Sequence, residues 1–188
     1  MTITFVLTLL IPLQYAVLVG VGISVFLFVV RQSTHLVTRR LVFHDDGSIE
    51  EVEPPTQVPP GEVVVLQPYG ALFFATAATL LAQMPAVTDA SRGSVVIIRI
   101  RGADEAGATL LAQLRDYATE LAAVDSKLVV VTDNPRVIRQ LRLTGVTDVI
   151  DRRDVYRGTA FLGATVRRAH DDARGWVATH RAADGGQR

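Results

Sequence analysis

The chain has 188 residues, 49% of them hydrophobic, and its 19 lysines and arginines are balanced by 19 aspartates and glutamates. It contains no cysteine, which rules out disulfides and thiolate metal sites. The formal charge of zero leaves no basic excess for gripping a phosphate backbone, so no nucleic-acid partner is expected.

The apolar residues are not spread evenly. The first thirty residues include no Asp, Glu, Lys, Arg or His, and every charge lies from Arg31 onward. An α-helix needs about 20 apolar residues to cross a hydrocarbon core of roughly 30 Å, and Pro12 to Val30 supplies one such run. The piece from Ile3 to Leu10 is also apolar, but Pro12 has no N–H and breaks the helix, leaving it too short to span. A secretory leader would need a basic start and a small-residue cleavage site, and neither is present. Arg31, Arg39 and Arg40 follow the run with no acid before Asp45, so the positive-inside rule assigns the remainder to the cytoplasm. The expectation is a membrane segment at residues 1–31, crossing once at about 12–30, in a single-pass cell-membrane protein with a cytoplasmic C-terminal domain. Within the span, Gly20, Gly22 and Ser24 are small residues suited to close helix packing. Gln14, Tyr15 and Ser24 are polar and costly in lipid alone, which points to neighbouring helices, of a transporter or of another copy of the chain.

Residues 32–61 read as a basic flank, a hairpin and a linker. Arg40–Phe43 and Ile49–Val52 are β-prone around Asp45, Asp46, Gly47 and Ser48, whereas Pro54, Pro55, Pro59 and Pro60 predict a stiff extended connector from which a domain hangs below the bilayer. From residue 62 to 179 strands and helices alternate. A strand at VVVLQP precedes a helix with Phe73, Ala77, Leu80, Leu81 and Met84 on one face. A strand at Ser94–Ile100 precedes a helix over Ala108–Val124 with a stripe of Leu110, Leu111, Leu114, Leu121 and Val124. A strand at Leu128–Thr132 leads to a helix over Arg136–Leu143, capped by Asp133 or Asn134, started by Pro135 and stopped by Gly145. Val146–Ile150 is expected as a fourth strand, and Leu162, Val166, Ala169, Ala173 and Trp176 mark a last helix, with fraying beyond Thr179 and a disordered tail at 180–188. This is an α/β pattern, a mainly parallel sheet with flanking helices, preceded by one transmembrane helix.

Sites at open parallel sheets gather at the carboxyl ends of strands, which directs attention to RIRGADEAGATLL. Gly102 and Gly107 have the spacing of a phosphate loop, but Ala108 and Thr109 stand where that motif needs Lys and Ser or Thr. Gly107 is instead expected to ease a tight turn, with Asp104 or Glu105 favouring the positive end of the following helix. Asp171 and Asp172 read as a solvated face, and His35, His44, His170 and His180 lack metal spacing. No nucleophile–base pair or metal set supports an enzyme, and no catalytic residue, metal or cofactor is expected.

Residues TFVLTLLIPLQYAVLVGVGISVFLF resemble the last membrane segment of SulP-type anion transporters, which in that family precedes a cytoplasmic STAS domain. VVVLQPYGALFFATA, SVVIIRIRG and KLVVVTDNPRVIRQLRLTG resemble successive units of such a domain. The resemblance implies transport of sulfate, bicarbonate or dicarboxylates by a many-helix core that is not among these residues, and hence a truncated or split product unable to transport alone. It also implies a regulatory and interaction role with a cytoplasmic protein partner. STAS domains of the anti-sigma-factor-antagonist kind carry a phosphorylatable hydroxyl where Asp104 to Gly107 lie here. Glu105 and Ala106 depart from that pattern, leaving Thr109 as the nearby hydroxyl and Glu105 as a fixed negative charge. The alternative is an independent membrane-tethered partner-switching protein. The residues expected to matter are therefore Asp104, Glu105, Gly107 and Thr109 in a regulatory loop.

Overall fold

The structure is a computed structural model that describes residues 13–33, 36–70, 77–101, 106–158 and 163–185. The chain divides into two units, Met1–His35 and Leu36–Arg188.

The first unit contributes helix α1, Leu13–Ser33. Its large apolar side chains from Tyr15 to Phe28 are 45% to 67% exposed, and because they sit at nearly every turn position the helix is greasy on all sides. Among the described residues no helix is long and apolar enough to cross a membrane.

The second unit is built on a six-stranded sheet of order β2-β1-β3-β4-β5-β6. Its strands are β1 Val37–Phe43, β2 Ile49–Val52, β3 Val63–Tyr69, β4 Val95–Ile100, β5 Lys127–Thr132 and β6 Val155–Arg157. The strands β3 to β6 run parallel, and β1 is antiparallel to both its neighbours. The helices are α2 Ala77–Ala82, α3 Ala108–Ala123, α4 Pro135–Leu143, α5 Val146–Val149 and α6 Ala164–Gly185.

Side chains alternate across a strand, so β4 faces two cores. Val96, Ile98 and Ile100 pack with Leu110, Leu111, Leu114 and Leu121 of α3 and with Val137 and Leu141 of α4. Val95 and Ile97 face the other way, toward Val166, Ala169, Ala173 and Val177 of α6. Burial on both faces explains why β3, β4 and β5 are nearly unbroken β-branched runs.

Four expectations are corrected. Residues 32–61 are not a flank and linker outside the domain, because β1 pairs with β3 and β2 with β1, so the folded unit starts at Leu36. The proline segment itself is docked: Val58 is buried, and residues 56–58 exchange backbone hydrogen bonds with Ala86. Three buried serines complete the attachment. The Ser91 hydroxyl donates to the Val58 carbonyl, that of Ser94 to the Pro59 carbonyl, and that of Ser126 to the Ser91 carbonyl. A proline lacks a donor but keeps its acceptor, and these hydroxyls satisfy it.

The expected strand at Val146–Ile150 is instead a helical turn, Val146–Val149, with Ile150 as its C-cap. Gly145, at φ 72°, ends α4 in the left-handed region and lets the next turn start at once, and the sixth strand comes later, at Val155. The tail does not fray at Thr179, since α6 runs on to Gly185, with Arg181 donating to the Gly61 carbonyl at 2.5 Å. Leu81 is 39% exposed and leaves the buried face of α2 to Ala77 and Leu80, with Met84 just past the helix end, while Phe73 and Leu162 lie outside the described residues.

His170 of α6 stacks on Phe43 of β1, their ring centroids 4.7 Å apart. Burial holds its pKa below the usual value against the opposing pull of Asp171, and Arg174 and Arg167 add to the depression. The unfolded chain, with an ordinary histidine value of about 6.5, then binds more protons than the folded chain just below that pH. Stability should therefore fall as pH drops from about 6.5 toward the lowered folded value, and level off below it. His170→Gln is expected to flatten this slope in urea midpoints taken across that window, and an unaltered slope would remove His170 as its source.

Candidate regulatory site at the carboxyl edge of the sheet

The parallel strands end in a polar rim. β4 is apolar until Arg99, which is half-buried and donates from Nη1 to Oε1 of buried Gln67 on β3 at 2.8 Å. Burial lowers the Arg99 pKa, repulsion from Arg101 adds to that, and the Tyr69 and Asp133 sides of the rim oppose it. An arginine so placed keeps its charge. The Tyr69 hydroxyl donates to Glu51 of β2, and burial, followed by that bond, raises the phenol above its ordinary value.

At β6 the rim closes tightly. The Gly158 N–H donates to the Thr132 carbonyl at 2.8 Å, and a Cβ on Gly158 would sit 2.9 Å from Cβ and 3.0 Å from Cα of Asp133. Only glycine fits without moving that backbone.

The loop from β4 to α3 carries the residues singled out in the sequence. Asp104 and Glu105 lie outside the described residues. Ala106 is buried, and its N–H donates to Oε1 of Gln140 at 2.9 Å, which ties the loop's end to α4. Gly107 is the N-cap of α3, at φ −60° and ψ 149°, a conformation open to any residue, so the turn does not demand glycine there. Among the described residues no side chain caps this end, and Thr109 lies half-buried in the first turn. The first-turn N–H groups and the helix dipole favour a negative charge beside Thr109.

On α1, a Cβ at either Gly20 or Gly22 would touch nothing within 4 Å. At about 100° per residue, Gly20 and Ser24 share a face, whereas Gly22 points the opposite way. The three are not one packing surface. Among the described residues no group of three or more His, Asp or Glu is arranged to hold a metal ion.

Sequence reasoning passed over the Arg99–Gln67 pair. A lone arginine interrupting the apolar run SVVIIRI was its visible signal.

The STAS domain profile matches residues 53–162, more than half of the chain. The chain belongs to the STAS domain family. No curated protein sequence matches it. Solved structures do: SLC26A9, at 17% identity and TM-score 0.61 over 92% of this chain and 30% of that one, and the murine Solute Carrier 26 family member A9 anion transporter in the inward-facing state, at 18% and 0.62 over 90% and 28%. At such identity the likeness establishes a shared fold. This STAS chain spans about 30% of the length of the structures it matches.

Proposed function

We propose that this STAS chain is the membrane-anchored cytoplasmic regulatory module of a SulP-type (SLC26-like) anion transporter, with α1 as the last transmembrane helix. One observation carries the reading: a helix that is greasy on every side from Tyr15 to Phe28 precedes a STAS fold in one chain. The uncharged part of α1, residues 13–30, is about 27 Å long at 1.5 Å per residue, close to the roughly 30 Å of a bilayer core. The match to the anion-transporter structures covers 92% of the chain, more than Leu36–Arg188 comprises, so it takes in part of the N-terminal unit.

In this role the module acts without catalysis. One helix cannot enclose a polar path through lipid, so the anion route belongs to partner helices packed on α1, with the Gly20–Ser24 face as the close-approach side. The start of α3, with Thr109 and the Asp104–Glu105 segment, is the place where a cytoplasmic protein partner reads the domain's charge state.

Protease accessibility tests the topology. Full-length chain with a C-terminal tag should resist protease added to intact cells and be digested in inside-out membrane vesicles. A tag cleaved from outside intact cells would overturn the cytoplasmic assignment. Stoichiometric phosphorylation at Thr109 in a chain that forms no complex with transporter helices would favour an independent partner-switching protein instead.

A further inference from the structure

We propose that a cleft between α4, α5 and β6 binds a small phosphate-bearing anion. The cleft has a volume of about 360 Å³ and is lined by Arg139 and Arg142 of α4, Arg152 just before β6, and Arg157 of β6, together with apolar Ile138 and Val155. That is the size of a small-molecule pocket, roughly 300–1,000 Å³, rather than of a single trapped water. Among the described residues no carboxylate lines it.

The absence of neutralising acids is specific to this place, because the chain as a whole is balanced. From Asn134 to Thr147 there are three arginines and no Asp or Glu. Of the three aspartates that follow, Asp148 turns toward Gly145 and the other two are engaged elsewhere. Asp148 reaches back over Gly145, with Oδ2 3.1 Å from where a Cβ would stand. Asp151 accepts from the Arg153 N–H, and Asp154 pairs with Lys127 at 2.7 Å. Among the described residues, none of the four arginines has an ion pair or a side-chain hydrogen bond.

Four guanidinium groups in one cleft repel one another, and an anion removes that repulsion while accepting their hydrogen bonds. Phosphate suits the arrangement because its oxygens accept the paired N–H groups of an arginine in a fork. Arg142 also gains from the negative end of α4, but that accounts for one arginine and not for the convergence of four from three segments. The phosphate can come from a lipid headgroup or from a soluble ester.

Full-length chain in a neutral maltoside detergent distinguishes these sources by calorimetric titration. One arm uses inorganic pyrophosphate, and the other uses mixed micelles of dioctanoyl phosphatidylglycerol with dioctanoyl phosphatidylcholine as the uncharged reference. At least one arm should bind with a Kd of about 1 mM or tighter. Binding of pyrophosphate indicates a soluble ester, and binding of phosphatidylglycerol alone indicates a headgroup. Arg139→Gln with Arg152→Gln should weaken binding by about tenfold or more, whereas Arg115→Gln on exposed α3 should not. Because the four arginines have no ion pair among the described residues, the double variant should melt at or above the parent's temperature without ligand. If it fails to fold, Arg142→Gln with Arg157→Gln serves the same comparison. Absence of binding in both arms, or equal binding by a folded double variant, overturns the proposal.

Discussion

A chain carrying Val21→Arg and Val25→Arg is expected to leave the membrane fraction. Both valines are more than half exposed on α1. Residues 13–30 include twelve Leu, Ile, Val or Phe, and each contributes about −0.3 to −0.6 kcal/mol to insertion near the middle of a span. Removing two leaves about −3 to −6 kcal/mol, while two central arginines add about 5 to 7 kcal/mol, so the balance moves from about −4 to −7 kcal/mol to between about −1 and +4 kcal/mol and the drive to insert is lost. The readout is the fraction of chain that survives alkaline carbonate extraction. Val21→Leu with Val25→Leu, equally apolar, should stay embedded. Full retention of the arginine variant, or extraction of the unaltered chain, would sink the membrane role of α1.

Ile98→Ala is expected to cost the folded domain about 2–5 kcal/mol, a large share of the roughly 5–15 kcal/mol that holds a domain together. Ile98 lies in the centre of the sheet, between β3 and β5, and is fully buried against the α3 and α4 side. Its loss leaves a cavity that two neighbouring strands prevent from collapsing. Ile98→Val removes one methylene and should cost about 0.5–1.5 kcal/mol. Trp176, the chain's only tryptophan, stacks on His180 of the same helix and reports unfolding by fluorescence in urea. A loss under about 1 kcal/mol for the alanine variant would mean that this core is looser than its burial implies.

The candidate site was legible only in outline. The β4–α3 connection follows from rules about where parallel strands end, and the structure adds that Gln140 pins it and that its glycine adopts an ordinary conformation. Gln140 belongs to α4, thirty-four residues away, so no local pattern announces the bond. The misread strand at Val146–Ile150 has a similar cause. Val, Thr and Ile favour strands on average, yet once Gly145 has turned the chain, the space there suits one helical turn that buries Val146 and Ile150.

By itself the sequence determined the separation of an uncharged leading segment from a charged remainder, and the succession of parallel strands and helices, since both depend on charge content and on periods of two and 3.6 within short windows. Tertiary structure alone decided three things. It recruited β1, β2 and the proline segment into the domain, through pairing with β3 and hydroxyls from Ser91 and Ser94. It extended α6 past Thr179, where Arg181 meets Gly61. It also gathered four arginines from separate segments around one cleft. Each of these rests on partners far apart in the chain, whose meeting is set by how the sheet is ordered rather than by neighbours in sequence.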